Sequence, residues 1–432
     1  MPSRRGVVLA AGGLVLAVAL TTAATLLPSP VPPPAPAPVP AAAAQADTAL
    51  SATSARAAVD ALNARLRRLP LDHHAWARLG AAYVQEARIT SDPTLYARAQ
   101  QALDRAAALA PGDPATLTGG AALAAARHDF AGAVRLADRA IAANPYGATA
   151  YGVLADAATQ LGRYDAAAKA ADRMIALRPG VSAYTRAAYA AELRGDPAQA
   201  RRLLNYALLD AYAPEDVAYC RYSLGELSLH AGDVAAAAEQ YQLALDAAPA
   251  FAPALAGRAR AAALSGQLPR ALDDYATLVA RLPMPQYIIE YGETLAAAGR
   301  DPAPQWRLLA AQRTLMDAAA VKDDLTWAEF EADHGSPAKA VAYARAEYAR
   351  HPNLSAADAL AWALHRAGRD REALPYAVAA TSTGWRNALV LRHRAAIERA
   401  LGDTAAAARS TARAEAANPR FVAELPALAR FS

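Results

Sequence analysis

Two kinds of apolar pattern divide the chain. From Gly6 to Leu27, 22 positions run without a charge behind Arg4 and Arg5. A helix of that length spans the hydrocarbon core of a bilayer. Pro28–Pro40 then alternates proline with small apolar residues, a composition that favours extended polyproline II and makes a semi-rigid spacer. Beyond residue 48 the apolar stretches are shorter and are broken at one shared interval. Prolines recur at Pro111, Pro145, Pro179, Pro214, Pro249 and Pro283, with gaps of 34 or 35. Glycines recur at Gly162, Gly195, Gly232, Gly266, Gly299, Gly335, Gly368 and Gly402, with gaps of 33 to 37. Two series that share a period and stay in phase mark an internal repeat.

Each unit reads as helix, glycine turn, helix, proline stop. Glycine tolerates the left-handed conformation that ends a first helix, and a following aspartate can cap the second. Gly162-Arg163-Tyr164-Asp165, Gly232-Asp233 and Gly402-Asp403 carry that pair. Proline stops the second helix because it lacks the N–H that would continue it. A lone helical hairpin cannot bury its apolar face, so the units are expected to stack.

This period and pattern resemble the tetratricopeptide repeat family. The clearest first helix holds Trp76, Leu79-Gly80 and Tyr83; Leu224-Gly225 and Tyr291-Gly292 keep the leucine-glycine site in later units. The small second-helix residue appears as Ala99, Ala133, Ala167, Ala200, Ala237, Ala271, Ala340, Ala373 and Ala407, with Pro304 breaking the column. The resemblance implies an all-α, right-handed superhelical solenoid of antiparallel helix pairs. Ten units are expected from about Asp72 to Pro419, preceded by a half unit ending at Pro70 and followed by a short capping segment. Three irregularities are expected. Extra residues around Ile89–Thr94 should lengthen a loop, the Pro304 unit should run its second helix on through Met316-Asp317-Ala318, and Thr381–Trp385 lacks its closing proline.

Composition strengthens the helical reading. The chain is 55% apolar and only 6% aromatic, and alanine, the best helix former, supplies most of the apolar total. Net charge is +4, but without Arg4 and Arg5 the balance is 42 basic against 40 acidic residues. A nucleic-acid partner is not expected of so even a balance. Lysine occurs only at Lys169, Lys322 and Lys339. Cys220, the sole cysteine, excludes an internal disulfide and reads as a small buried helix residue.

The basic residues ahead of the apolar run orient the N-terminus inward and the rest of the chain outward. The boundaries that follow are a signal peptide or anchor over 1–27, a linker over 28–47 and the superhelix over 48–432. Ala42-Ala43-Ala44 and Ala44-Gln45-Ala46 offer cleavage sites, and Thr22-Ala23-Ala24 an earlier one, so both a released and an anchored form are open. The membrane is met through this segment only. Ser3-Arg4-Arg5-Gly6-Val7-Val8 also resembles a twin-arginine export signal, with valines in place of the bulky pair.

No phosphate loop, His-Glu-x-x-His, Gly-x-Ser-x-Gly or paired zinc spacing occurs, so neither cofactor, metal nor catalytic residue is expected. His73 and His74 are neighbours that a helix points about 100° apart, poorly placed to share a metal. Arg194-Gly195-Asp196 falls on a repeat turn and is read as structural. In the family that the chain resembles, first helices line the inner surface where partners bind. That position nominates Tyr189, Tyr219, Tyr222, Glu226, Glu293, Lys322, Glu329, Asp358, Trp362, His365 and Arg366. Tyrosine, tryptophan and arginine are the types that anchor interfaces. The lysine and asparagine set that grips a terminal carboxylate is missing. The expected function is therefore an extracytoplasmic scaffold binding a protein or peptide, in envelope or secretion assembly. An enzyme with a glycan- or peptide-processing site on the concave face, and a self-associating structural protein, are the alternatives.

Overall fold

A computed structural model describes residues 52–430, save 91, 93, 319–320 and 423–424. The expected membrane segment and linker lie outside these residues. Among those described, no helix is long and apolar enough to cross a membrane.

Helix α1 (Ala52–Arg68) is the half unit. Ten antiparallel pairs follow in series: α2 (His73–Thr90) with α3 (Leu95–Leu109), α4 (Pro114–Ala126) with α5 (Phe130–Ala143), α6 (Ala148–Gln160) with α7 (Tyr164–Leu177), α8 (Val181–Leu193) with α9 (Pro197–Leu209), and α10 (Pro214–His230) with α11 (Val234–Ala247). The second five are α12 (Ala252–Leu264) with α13 (Leu268–Arg281), α14 (Pro285–Ala297) with α15 (Ala303–Ala318), α16 (Asp324–His334) with α17 (Pro337–Arg350), α18 (Leu354–Arg366) with α19 (Asp370–Ala380), and α20 (Ala388–Ala400) with α21 (Thr404–Ala417). A short 3-10 turn, Pro426–Ala429, ends the described chain. Among the described residues there is no strand, and the fold is the all-α repeat solenoid that the punctuation implied.

The pairing rests on small residues. Every member of the second-helix alanine column is buried to 2% exposure or less. Opposite it, small first-helix residues leave room for larger partners. The Tyr241 ring on α11 lies so close to Gly225 that an added Cβ would stand 2.5 Å from it. First helices of successive units also pack against one another, as α2 does on α4 and α16 on α18, while among the described residues no two second helices pack comparably. The closer spacing on that side puts the first helices on the inside of the curve.

Some punctuation does a different job from the one expected. Asp196, Asp233 and Asp403 cap their helices, accepting from the amides three residues on. Asp165 does not; Arg163 stands at that cap without a side-chain bond, and Asp165 lies in the first turn, where its charge suits the helix dipole. Pro214 opens α10 instead of closing α9. The extra residues at Ile89–Thr94 extend α2 to Thr90 more than they lengthen the loop, whereas α15 runs on to Ala318 as expected. Gly335 is not left-handed (φ −129°), so this turn does not use the dihedral freedom expected of it.

The coil closes on itself five to six units later. The His351 ring faces the His128 carbonyl at 3.0 Å, Asn353 donates to the Gln160 carbonyl at 3.0 Å, and the Leu354 amide donates to the Tyr164 hydroxyl at 2.7 Å. Thr383 donates to the Leu193 carbonyl at 2.6 Å, and Asn418 reaches the Leu229 carbonyl at 3.4 Å. Turns of units two to five thus seat on the loops that follow units eight to ten. Gly195, at φ +80°, shows how close the approach is, since a Cβ there would stand 2.4 Å from the Gly384 carbonyl oxygen. Thr381–Trp385, which lacks its proline, is the loop that makes this contact.

Candidate functional site

Because first helices line the inside, the inner groove is read along α8, α10, α14, α16, α18 and α20. The nominated residues fall into three groups there. Tyr189 and Tyr219 remain 41% and 39% exposed, beside Arg186, which binds Asp156 through two bonds of 2.9 and 2.8 Å. Both rings therefore keep solvent-exposed surface.

Tyr222 and Glu226 are committed inward. Glu226 accepts from both terminal nitrogens of Arg260, at 2.9 and 3.0 Å, and from the Tyr241 hydroxyl at 2.5 Å. Tyr222 packs between Tyr241 and Phe251, with ring centroids 6.1 Å from each. Arg260 is almost wholly buried, and its second counter-charge is Glu290, 3.8 Å away. Burial pushes the Glu290 carboxyl up to about 7, although Arg260 and the bonds from Gln286 and Tyr275 pull the other way. A buried guanidinium needs both carboxylates, and both are used in holding three units together. These residues form an internal brace.

The third group converges. Trp362 on α18 donates to Asp333 at 2.8 Å and stacks on His393 with centroids 4.0 Å apart and planes 9° from parallel. His393 in turn binds Asp358 at 2.9 Å, with both buried. His365 also stacks on the tryptophan, at 5.0 Å, and binds Asp370 at 2.5 Å. Arg366 lies over the indole at 5.7 Å. Glu293 is buried and meets His334 at 2.8 Å. Burial pushes Glu329 up to about 8, with Arg430 opposing the rise and Asp358, Asp333 and Asp323 adding to it. Asp333 goes the other way, since Arg430 and Trp362 hold its charged form against burial. Beside this cluster is a cavity of about 320 Å³ lined by Asp333, His334, Trp362, Arg366, Arg392 and His393, among others. Lys322 is apart from all of this, exposed in the loop before α16.

What the sequence reading missed is the segment after α21. Its start covers the last unit as expected, Phe421 packing on Ala388, Leu391, Ala414 and Ala417, but the rest goes on into the groove. Leu229, Val234 and Leu264 line a cleft that it enters with Phe421, Val422 and Leu425. Leu425, Ala427 and Leu428 are buried in the same apolar cluster as Ile288 on α14. The Ala427 amide donates to Glu293 at 2.9 Å. Arg430 then ion-pairs with Asp333, and its Nε lies 3.5 Å from Glu329. No repeat signal announces these residues; the apolar–Pro–apolar spacing of Leu425, Pro426 and Leu428 ahead of an arginine is the one local hint.

Two groups among the described residues bring three metal-capable side chains within 4.8 Å of one another: Glu293, Asp333 and His334, and His73, His74 and Asp113. In the first, Glu293 and Asp333 already hold Ala427 and Arg430. In the second, the imidazoles approach to 4.0 Å between centroids, closer than adjacent helical positions suggested, because the rings tilt together at the start of α2. Cys220 is buried as expected, and burial pushes its thiol up to about 12.

No family model matches the chain, and no curated protein does. Solved structures do. The chain is similar to TTC0263, a thermophilic TPR protein of Thermus thermophilus, with 22% identity over 42% of this chain and 98% of that one and a TM-score of 0.38. It is similar to PilW, a type IV pilus biogenesis factor, with 20% identity over 48% and 92% of the two chains and a TM-score of 0.38. A human IFIT1 dimer with a capped RNA covers 75% of this chain and 76% of its own, at 16% identity and a TM-score of 0.47.

Proposed function

We propose that this chain is an interaction scaffold, held outside the cytoplasm, that binds a polypeptide partner on its inner face. The observation that carries the reading is that the inner groove already holds a polypeptide, residues 421–422 and 425–430, through apolar, backbone and ionic contacts together. Tyr189 and Tyr219 stand open further along the same face, and Arg366 and Arg392 border the cavity beside the seated segment. Exposed tyrosine and arginine around a buried apolar seat are the usual make-up of an interface centre and its edge. Placement outside the cytoplasm is supported by the charge-free run Gly6–Leu27 behind two arginines.

The carboxyls whose proton affinity is raised bear on the enzyme alternative. Glu290 is wholly buried against Arg260 and Tyr275, and Glu329 faces Arg430. Both act as internal counter-groups, which favours the scaffold.

The test is site-specific photo-crosslinking in the source cells. A crosslinking residue is placed at Tyr219 or Arg366 on the inner face, and at Arg173 on the outer helix α7. A discrete adduct from the inner positions and none from Arg173 is expected. Adducts from Arg173 alone, or from no position, would overturn the inner-face reading.

A further inference from the structure

The seat of Arg430 is built for a cation whether or not this arginine fills it. Glu293, Glu329 and Asp333 come from two neighbouring inner helices, and Asp358 adds a further negative charge nearby. Of the groups that answer them, His334 binds Glu293 and Trp362 binds Asp333. Among the described residues, the one full positive charge in direct contact with Glu329 and Asp333 is Arg430. Without it, carboxylates crowded in a partly dry groove would repel one another, and like charges at such range disfavour ionisation of at least one. The rest of the segment is held by less specific means. Leu425 and Leu428 are buried to 5% and 1% exposure, and one backbone amide is read by Glu293. Pro426 borders the cavity, so space adjoins the segment on that side.

We propose that the described residues after α21, 421–422 and 425–430, are a resident but displaceable ligand of the inner groove, and that the partner displacing them carries an arginine just beyond an apolar, proline-containing stretch. The inference rests on the inner-face reading above and gives it a chemistry. A seat used by the chain itself lowers a partner's apparent affinity by the fraction of time the seat is open. It also selects, because an incoming segment must supply both the apolar anchors and the guanidinium. A peptide that filled the apolar cleft but ended without a cation would leave Glu329 with no counter-charge and Asp333 with the Trp362 N–H alone, which is the costlier half of a broken ion pair.

The probe is a fluorescein-labelled peptide with the sequence of residues 420–430, titrated by polarisation with the full chain. Arg430→Ala in the chain opens the charged seat; Leu428→Asp opens the apolar one and replaces it if the first variant does not keep its helical circular dichroism. The opened chain is expected to bind the peptide at least about thirtyfold more tightly than the wild type, one per chain. The same peptide with alanine for its last arginine should lose that gain. Equal binding to both chains, binding to neither, or a gain indifferent to the peptide's arginine would overturn the proposal. The two readings fail separately. A partner crosslinked at Tyr219 with no peptide gain leaves the groove as the docking face and removes the displaceable segment, and a peptide gain with no crosslinked partner does the reverse.

Discussion

A methyl group added at Gly257 would lie 2.5 Å from the Tyr241 ring, and one at Gly225 would lie as close to the same ring. Two glycines on neighbouring inner helices therefore form the slot in which a wholly buried tyrosine lies flat, its hydroxyl on Glu226. Neither glycine is there for its dihedral freedom, since both are in regular helix, where glycine is a poor choice. What they provide is proximity, which lets Tyr241 reach the Arg260 brace. Gly257→Ala should therefore destabilise the chain by about 1–3 kcal/mol despite the better helix propensity of alanine. Chemical denaturation checks this, and an unchanged or higher midpoint would mean that the ring can shift at little cost. His128 teaches the complementary lesson. It stands where later units have their turn glycine and takes φ +61°, with its ring stacked on Phe130 at 5.4 Å. The glycine series read from the sequence therefore starts only at Gly162 in the third unit: His128 takes the place in the second, and the first has no glycine between its helices.

At the scale of helices and loops, a loop residue gains its importance from what lies five to six units away. Asn353 caps α18 by accepting from the Ala356 amide at 2.8 Å, and it also donates to Gln160 across the closed coil. Asn353→Ser keeps a cap and loses the bridge, while Asn353→Ala loses both. The alanine variant is expected to cost about 1–3 kcal/mol and the serine variant less. Hydrogen exchange locates the effect: amides of the α6–α7 turn should exchange faster in both variants, those of α2 and α3 in neither. Unchanged exchange at that turn would show that the stacked turns do not support each other. What was legible in the sequence, and what was not, divides along this line. The period, the alanine column and most caps were readable because each is a relation between residues a few positions or one repeat apart. The meeting of Asn353 with Gln160, or of Arg430 with Asp333, joins residues far apart in sequence and leaves no local spacing to read. The inner-face position nominated Glu226, Glu293 and Glu329 alike, yet it could not say what each holds, because Glu226 meets an arginine of the next unit while Glu293 and Glu329 meet the segment after α21.

For the whole molecule, the buried carboxyls make stability a function of pH. Burial pushes Glu290 up to about 7, Asp323 to about 6 and Glu329 to about 8, from ordinary values of 4.5, 3.8 and 4.5. Each therefore holds its proton more firmly in the folded chain than in the unfolded one. Between the ordinary and the raised value the folded state carries more protons, so raising the pH through that window withdraws stability. Asp333 acts in the opposite sense, since its affinity is lowered and its contribution disappears only in acid. The thermal midpoint should accordingly fall from about pH 5 to about pH 8, where many proteins hold steady. Glu329 keeps 23% of its side-chain surface exposed, so its share is smaller than its shift suggests, while Glu290 has none exposed. Glu290→Gln should flatten the middle of the decline and Glu329→Gln its upper end, each by removing one titration. A midpoint that rises across this range, or a decline that both glutamine variants leave untouched, would refute the assignment. Because Glu329 also faces Arg430, its ionisation near pH 8 adds charge that favours the seated segment just as the rest of the chain loses stability, so the groove should close tightest at the alkaline end.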